Sequence, residues 1–210
     1  MILAHWHKLK ERQVPRGITF VTSSGFSTVT GTDYTLTGLQ SGDFVLCQQS
    51  ADTGVPDLYT GFTNIKTLSG TVDARWSYIF STGTSVTFTG TEQDSVVLAA
   101  FRSVNSTTPL DVASTSNHPS GTRTTLTPAS ITPVTDGCMI CACIAIDDSD
   151  QTSATTPTGF TTATAFFGGD DATTIVTYKL QTTATTESPS AFSWSASEVA
   201  GTETIALRPA

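Results

Sequence analysis

An internal duplication constrains this chain more than any other feature. Thr32-Asp33-Tyr34-Thr35-Leu36-Thr37 returns as Thr122-Arg123-Thr124-Thr125-Leu126-Thr127. Phe44-Val45-Leu46-Cys47, after Gly42-Asp43, is answered by Cys138-Met139-Ile140-Cys141 after Asp136-Gly137. Thr60-Gly61-Phe62-Thr63 matches Thr158-Gly159-Phe160-Thr161, and the alternating Trp76, Tyr78 and Phe80 match Val176, Tyr178 and Leu180. Val86 and Phe88 correspond to Phe192 and Trp194 or their neighbours, and Ala99, Phe101 and Arg102 to Ile205, Leu207 and Arg208. The order is the same in both halves, and the separation drifts from about 90 to about 106 residues, as insertions in connecting loops produce. Two quasi-repeats follow, about residues 17–112 and 113–210, joined in one domain over 17–210.

Within each half the apolar residues recur with a period of two. Trp76, Tyr78 and Phe80 fall on one face of an extended strand, as do Tyr178 with Leu180 and Phe192 with Trp194. Clusters rich in Gly, Pro, Asn and Asp separate these runs, which is the punctuation of short strands in a sandwich or barrel. Roughly one residue in five is threonine, whose branched Cβ suits a pleated strand better than a helix. The expected fold is all-β: an antiparallel β-sandwich with jelly-roll-like or Greek-key connections. Trp76, Tyr78, Phe80, Tyr178, Phe192 and Trp194 are expected between the sheets, with threonines covering the outer faces. A single sandwich is expected over two small ones, because either half alone leaves long strand edges open.

Charge narrows the function classes. Charged residues are 13% of the chain, against about a quarter in ordinary soluble domains. The net charge of −8 argues against nucleic-acid binding, which needs a basic footprint. Four cations nevertheless crowd the start: Lys8, Lys10, Arg12 and Arg16. With Trp6 they make residues 1–16 an N-terminal arm outside the duplication, read either as an assembly arm docking on a neighbouring subunit or as a loose terminus. No secretory signal is legible in MILAHWHKLKER. The longest apolar run, Cys138 to Ile146, is about half of what a membrane-crossing helix needs, so no membrane insertion is expected.

Candidate chemistry is sparse. Cys138 and Cys141 have CxxC spacing with Cys143 behind them, but residues three apart on a strand point to opposite faces. His118 is the only histidine outside the arm, so zinc lacks its usual ligand spacing. Cys47 and Cys141, at matching places in the repeats, read as small buried hydrophobes, with a disulfide or metal as the alternative. There is no G-x-S-x-G elbow, and His118 has no acid partner in a fixed local pattern. Asp147, Asp148, Asp150, Asp170 and Asp171 fall in predicted turns, where aspartate caps the local backbone, rather than forming a glycosidase pair or a calcium loop. Asn105-Ser106-Thr107 is formally a glycosylation triplet, of a kind that chance supplies in a Ser/Thr-rich chain.

Gly42-Asp43 leading into an apolar strand, Pro157-Thr158-Gly159-Phe160-Thr161, FRSVNSTTPLDV from Phe101 to Val112, and the closing ETIALRP form a recognisable set. Together they resemble the Ser/Thr-rich β-sandwich module of phage virion proteins and phage-derived bacterial surface proteins, over about residues 17–210. The first half departs from it, since Tyr59 stands two residues before Gly61 where Pro157 precedes Gly159. The resemblance implies a structural or adhesive role and brings no catalytic residue with it.

The expectation is a non-enzymatic structural component of a bacteriophage virion, decorating or cementing the capsid or attached to the tail. Its expected partners are other virion proteins and further copies of itself, and no cofactor is called for. A receptor- or carbohydrate-binding adhesin module is the alternative. It would use exposed loop aromatics, for which Tyr59, Phe62, Phe166 and Phe167 are the candidates. An esterase or glycosidase is the more distant one.

Overall fold

The computed structural model describes residues 17–51, 54–70, 72–91, 95–147, 151–168 and 172–210. The arm, with Trp6, Lys8, Lys10, Arg12 and Arg16, lies outside the described residues, as do Asp148, Asp150, Asp170 and Asp171. The described chain is all-β and antiparallel. The first half contributes β1 (Thr19–Ser27), β2 (Asp33–Thr37), β3 (Phe44–Ala51), β4 (Thr63–Leu68), β5 (Asp73–Phe80), β6 (Ser85–Thr89) and β7 (Ser95–Arg102). The second contributes β8 (Thr115–Asn117), β9 (Arg123–Leu126), β10 (Cys138–Ile146), β11 (Ala154–Thr155), β12 (Thr161–Gly168), β13 (Ala172–Gln181), β14 (Phe192–Glu198) and β15 (Ala200–Leu207).

One five-stranded sheet has the order β1-β7-β3-β5-β4, and the other, read from its opposite edge, β8-β15-β10-β13-β12. These are the same plan, strand for strand. Each half also makes a small sheet, β2-β6 in the first and β11-β14-β9 in the second. Turns repeat as well: Phe62 N–H donates to Tyr59 O and Phe160 N–H to Pro157 O, with Gly61 at φ 86° and Gly159 at φ 81°. Both turns place glycine at the third position, where a positive φ is required. Tyr59 in place of Pro157 therefore leaves the turn unchanged. The strands that follow carry matching bulges, between Asn64 and Lys66 in β4 and between Thr162 and Thr164 in β12.

The layers follow from which faces are apolar. The two large sheets lie face to face, with β1 over β12, β7 over β12 and β13, and β3 over β13 and β10. Phe44, Leu46, Trp76, Val97, Ala99 and Phe101 from one sheet meet Met139, Cys141, Cys143, Val176, Ile205 and Leu207 from the other. Each small sheet then closes the outer face of its own large sheet. Leu36, Val86 and Phe88 pack on Val45, Cys47, Val96 and Leu98, while Leu126, Phe192 and Trp194 pack on Ala142, Ile144 and Ile175. Strands β3, β10 and β15 are consequently buried at every residue.

Several sequence expectations are corrected here. Phe44 pairs with Phe101 and Phe80, and Met139 with Leu207 and Leu180, so Phe44 corresponds to Met139 rather than to Cys138. The match of β3 to β10 is therefore one residue out, and one residue moves a side chain to the other face. Cys47 faces the first small sheet, whereas Cys141 faces the central core. Trp76, Phe192 and Trp194 are buried as expected, but Tyr78, Phe80 and Tyr178 are only partly buried, and Leu180 is 43% exposed. They sit at one open end of the central core, where Phe20 stacks on Tyr178 at 4.8 Å and Phe44 on Tyr78 at 5.0 Å. Threonine does not only coat the surface. Thr173, Thr174, Thr177, Thr202 and Thr204 are fully buried. Thr177 and Thr204 satisfy their hydroxyls by donating to Ala142 O at 2.7 Å and Ala129 O at 2.8 Å.

Two glycines mark where the large sheets come closest. A Cβ on Gly25 of β1 would lie 2.8 Å from the Phe166 Cβ on β12, and one on Gly201 of β15 would lie 2.6 Å from a Leu68 methyl on β4. The Phe166 Cβ is fixed to its backbone, whereas the atoms facing Gly201, a Leu68 methyl and a Val72 methyl at 2.9 Å, are side-chain ends that can shift. Gly25→Ala is thus expected to cost about 1–3 kcal/mol of stability through overpacking, and Gly201→Ala less, by denaturant unfolding.

Candidate functional site

The ends of the two halves are tied by one kind of contact. Arg102, at the end of β7, donates from Nε and Nη2 to the two Asp43 carboxylate oxygens, each at 2.8 Å. Arg208, just past β15, donates from Nε to Asp111 Oδ1 at 3.0 Å and from Nη2 to Asp111 O at 3.1 Å. Asp136, from the dipeptide that answers Gly42-Asp43 in sequence, accepts from Ala184 N–H, and it is Asp111 that takes the arginine. Asp111 Oδ2 also accepts from the N–H groups of Val134 and Thr135. Burial pushes both carboxyl groups up, and the bonds from Arg102 and Gln40 at Asp43, and from Thr135, Val134 and Arg208 at Asp111, more than reverse it. Both therefore stay ionised below the usual carboxylate range.

These pairs explain two of the sequence marks. Val104 bridges to Pro209 and Leu110 to Leu207, so the segment from Phe101 to Val112 lies against the closing ETIALRP. Asn105 Oδ1 accepts from the N–H groups of Thr107 and Thr108, which is a local Asx turn at the glycosylation triplet.

The chemically capable groups are spent on the fold. His118 is half-buried, and its Nε2 accepts from Val72 N–H across the two large sheets at 3.3 Å. Burial pushes its pKa down, with the Arg123 charge adding to this and Asp73 opposing it, so the imidazole is held neutral as that bond requires. All four cysteines are buried thiols outside any disulfide. Burial, with the Asp111 charge, pushes the Cys138 thiol up to about 12, and burial raises Cys141 and Cys143 further. Cys138 packs on the outer side of its sheet and Cys141 on the inner side, so the CxxC pair does not converge. Among the described residues no group of His, Cys, Asp and Glu is arranged to hold a metal ion. Of the loop aromatics, Tyr59 and Phe62 are buried under the first small sheet, and Phe166 and Phe167 lie within β12.

Sequence reasoning missed Glu203. It lies in the middle of β15, opposite Cys143 on β10, fully buried on the central face. Oε2 accepts from Ser116 Oγ at 2.5 Å, while Oε1 has no hydrogen-bond partner among the described residues. Burial raises its pKa against the opposing pull of Ser114, Ser116 and Lys66. Its only sequence signal is an acid inside an otherwise apolar and hydroxyl-bearing strand.

Two surface grooves occupy corresponding places. One, of about 320 Å³, is lined by Leu58, Thr60, Thr87, Phe88, Thr89 and Thr91. The other, of about 270 Å³, is lined by Ser153, Ala154, Thr155, Ser193, Trp194 and Ser195. Compared with protein-family models, curated proteins and solved structures, the chain matches none. Among the described residues no helix is long and apolar enough to cross a membrane.

Glu203 supplies a pH test. A carboxyl with a raised folded pKa binds its proton more tightly in the native state, so its contribution is fullest below about 4.5 and is lost as pH rises through the folded pKa. Glu203→Gln keeps the shape and removes the charge. The variant is expected to be more stable than the parent at pH 8, with the gap closing towards pH 4, when unfolding free energies are measured across that range.

Proposed function

We propose that this chain is a non-enzymatic structural component of a bacteriophage virion that decorates or cements the capsid or sits on the tail. The observation that carries the reading is how the fold uses its reactive groups. Asp43 and Asp111 lock arginines at the sheet ends, His118 accepts a backbone bond between the sheets, and the thiols are packed as small apolar side chains. What faces solvent on the first small sheet is Asp33, Thr35, Thr37, Ser85, Thr87 and Thr89, a flat face of hydroxyls with one carboxylate. Such a body adds stability to a particle by covering its neighbours. The resemblance of the sequence to phage virion modules points the same way. The glycan-binding alternative has lost Tyr59 and Phe62 to the interior.

In this reading residues 1–16 are the attachment arm, with Trp6 as an apolar anchor and Lys8, Lys10, Arg12 and Arg16 supplying charge to a partner surface. Deleting residues 1–16 is expected to leave the melting temperature of the β-fold nearly unchanged and to abolish attachment to particles. Attachment of the full chain is expected to weaken with added salt, since exposed charges are screened over about 8 Å at physiological ionic strength. Unaltered attachment after truncation would move the docking surface onto the folded body.

A further inference from the structure

The two halves differ at one strand edge. In the second half β14 is flanked on both sides, by β9 and by β11, where Ala154 pairs with Trp194 and Thr155 with Ser193. In the first half β6 holds the place of β14, yet among the described residues it pairs only with β2. The segment that corresponds to β11 is Pro56-Asp57, and it is held elsewhere. Arg75 Nε donates to Pro56 O at 2.7 Å and Gln49 Nε2 to Asp57 O at 2.8 Å. Pro56 also has no N–H to offer a ladder. By the strand registers, the residues matching Gln49 and Arg75 are Ile144 and Ile175, which offer no side-chain donor. Among the described residues the chain therefore fills this edge in one half and leaves it open in the other.

What remains beside β6 is the larger groove. Phe88 lies among its lining residues, buried at 4% exposure, and Leu58 is 39% exposed on its wall. Two of the lining residues have exposed carboxylates next to them, Asp33 paired with Thr89 across the ladder and Asp57 preceding Leu58 in the chain. An unpaired strand edge with an apolar pocket and an acidic surround is a receptor for one added strand of basic, apolar-bearing peptide.

We propose that the β6 edge receives residues 1–16 of a neighbouring copy of this chain, so that the arm joins one subunit to the next by strand addition. This rests on the arm reading given above and names the arm's acceptor. The segment has the required chemistry. As an added strand, His7, Leu9 and Glu11 share one face and Lys8, Lys10 and Arg12 the other, so Leu9 can enter the groove while the cations meet the carboxylates. The chain's own folded start points elsewhere. Thr19 pairs with Arg102 at one end of β1, and Gly17 lies against Leu180 of the second half. The groove is near the other end, where Gly31 and Gly90 are hydrogen-bonded, a strand length of about 30 Å away, so the chain's own arm would have to turn back along β1 to reach it.

The test uses the full chain, the variant Leu58→Lys, and a synthetic peptide of residues 1–16. Leu58 is exposed, so lysine there opposes a cationic strand without entering the core; Thr60→Lys, on an exposed turn residue, repeats the test should the first variant fold poorly. Sedimentation equilibrium is expected to show concentration-dependent association of the full chain, reversed by excess peptide and weakened at least tenfold by Leu58→Lys with an unchanged melting temperature. Hydrogen exchange at Thr87–Thr91 is expected to slow only in the associated state. The proposal is overturned if Leu58→Lys associates like the parent, if the chain stays monomeric, or if Thr87–Thr91 is protected at all concentrations, which would mean that the chain's own arm fills the edge. Normal particle attachment by a Leu58→Lys protein that still associates fully refutes this acceptor and leaves the attachment reading standing. Normal particle attachment after deletion of residues 1–16, with association lost, does the reverse.

Discussion

The rest of this structure depends on the apolar contact between the two five-stranded sheets. Each of these sheets belongs to one half of the chain, and each buries its inner face only against the other. Trp76, Phe44, Phe101 and Leu46 on one side have as their cover Met139, Cys141, Val176, Ile205 and Leu207 on the other. A fully buried side chain of this kind contributes about 1.5–3 kcal/mol relative to exposure, so a half on its own would leave most of that unrealised. The outer small sheets finish the arrangement by covering the remaining faces. The two five-stranded sheets have the same strand order, and each covers the apolar face of the other.

Burying sheets on both faces forces a particular treatment of polar groups. The strand ladders satisfy the backbone, and buried threonines return their hydroxyls to nearby carbonyls. Between the large sheets, Gln48 donates to Ile144 O at 2.7 Å and Ser95 to Ala172 O at 2.6 Å, so the apolar contact is pinned in register by side chain to backbone bonds. The two Asp–Arg pairs sit at sheet ends, where the arginines stay partly in water and only the carboxylates are buried. Some buried groups depart from this economy: among the described residues Gln48 Oε1, Thr173 Oγ1 and Glu203 Oε1 are unanswered, and Glu203 is the acid among them, on the central face. Its raised pKa is the direct consequence.

The sequence made the strands legible wherever one face is apolar and the other is not. RWSYIF, SVTFT and the TGFT turns carry their alternation and punctuation openly, and each is a strand or a turn in the structure. The same reasoning slipped by one residue at FVLC and CMIC. Both faces of β3 and β10 are buried, so the matched stretches Phe44–Cys47 and Cys138–Cys141 are apolar throughout and the period of two that fixes register is absent there. The partner of Arg208 was hidden for another reason. The segment from Phe101 to Val112 folds back along the end of β15 and brings Asp111 to Arg208, a contact between residues 97 apart that no local pattern marks. Leu58 and the open β6 edge were illegible too, because they arise from a difference in partners between two strands that look alike in sequence. The buried Glu203 follows from tertiary stacking alone.

The claim that the two halves share one indispensable core is tested most directly by native-state hydrogen exchange. The slowest amides of β3 and of β10 should open with the same free energy, equal to that of global unfolding, and should shift together when Gly25 is replaced by alanine. If the β10 amides stay protected while those of β3 exchange through a cheaper, separate opening, or the reverse, each half is an independent folding unit and the account fails.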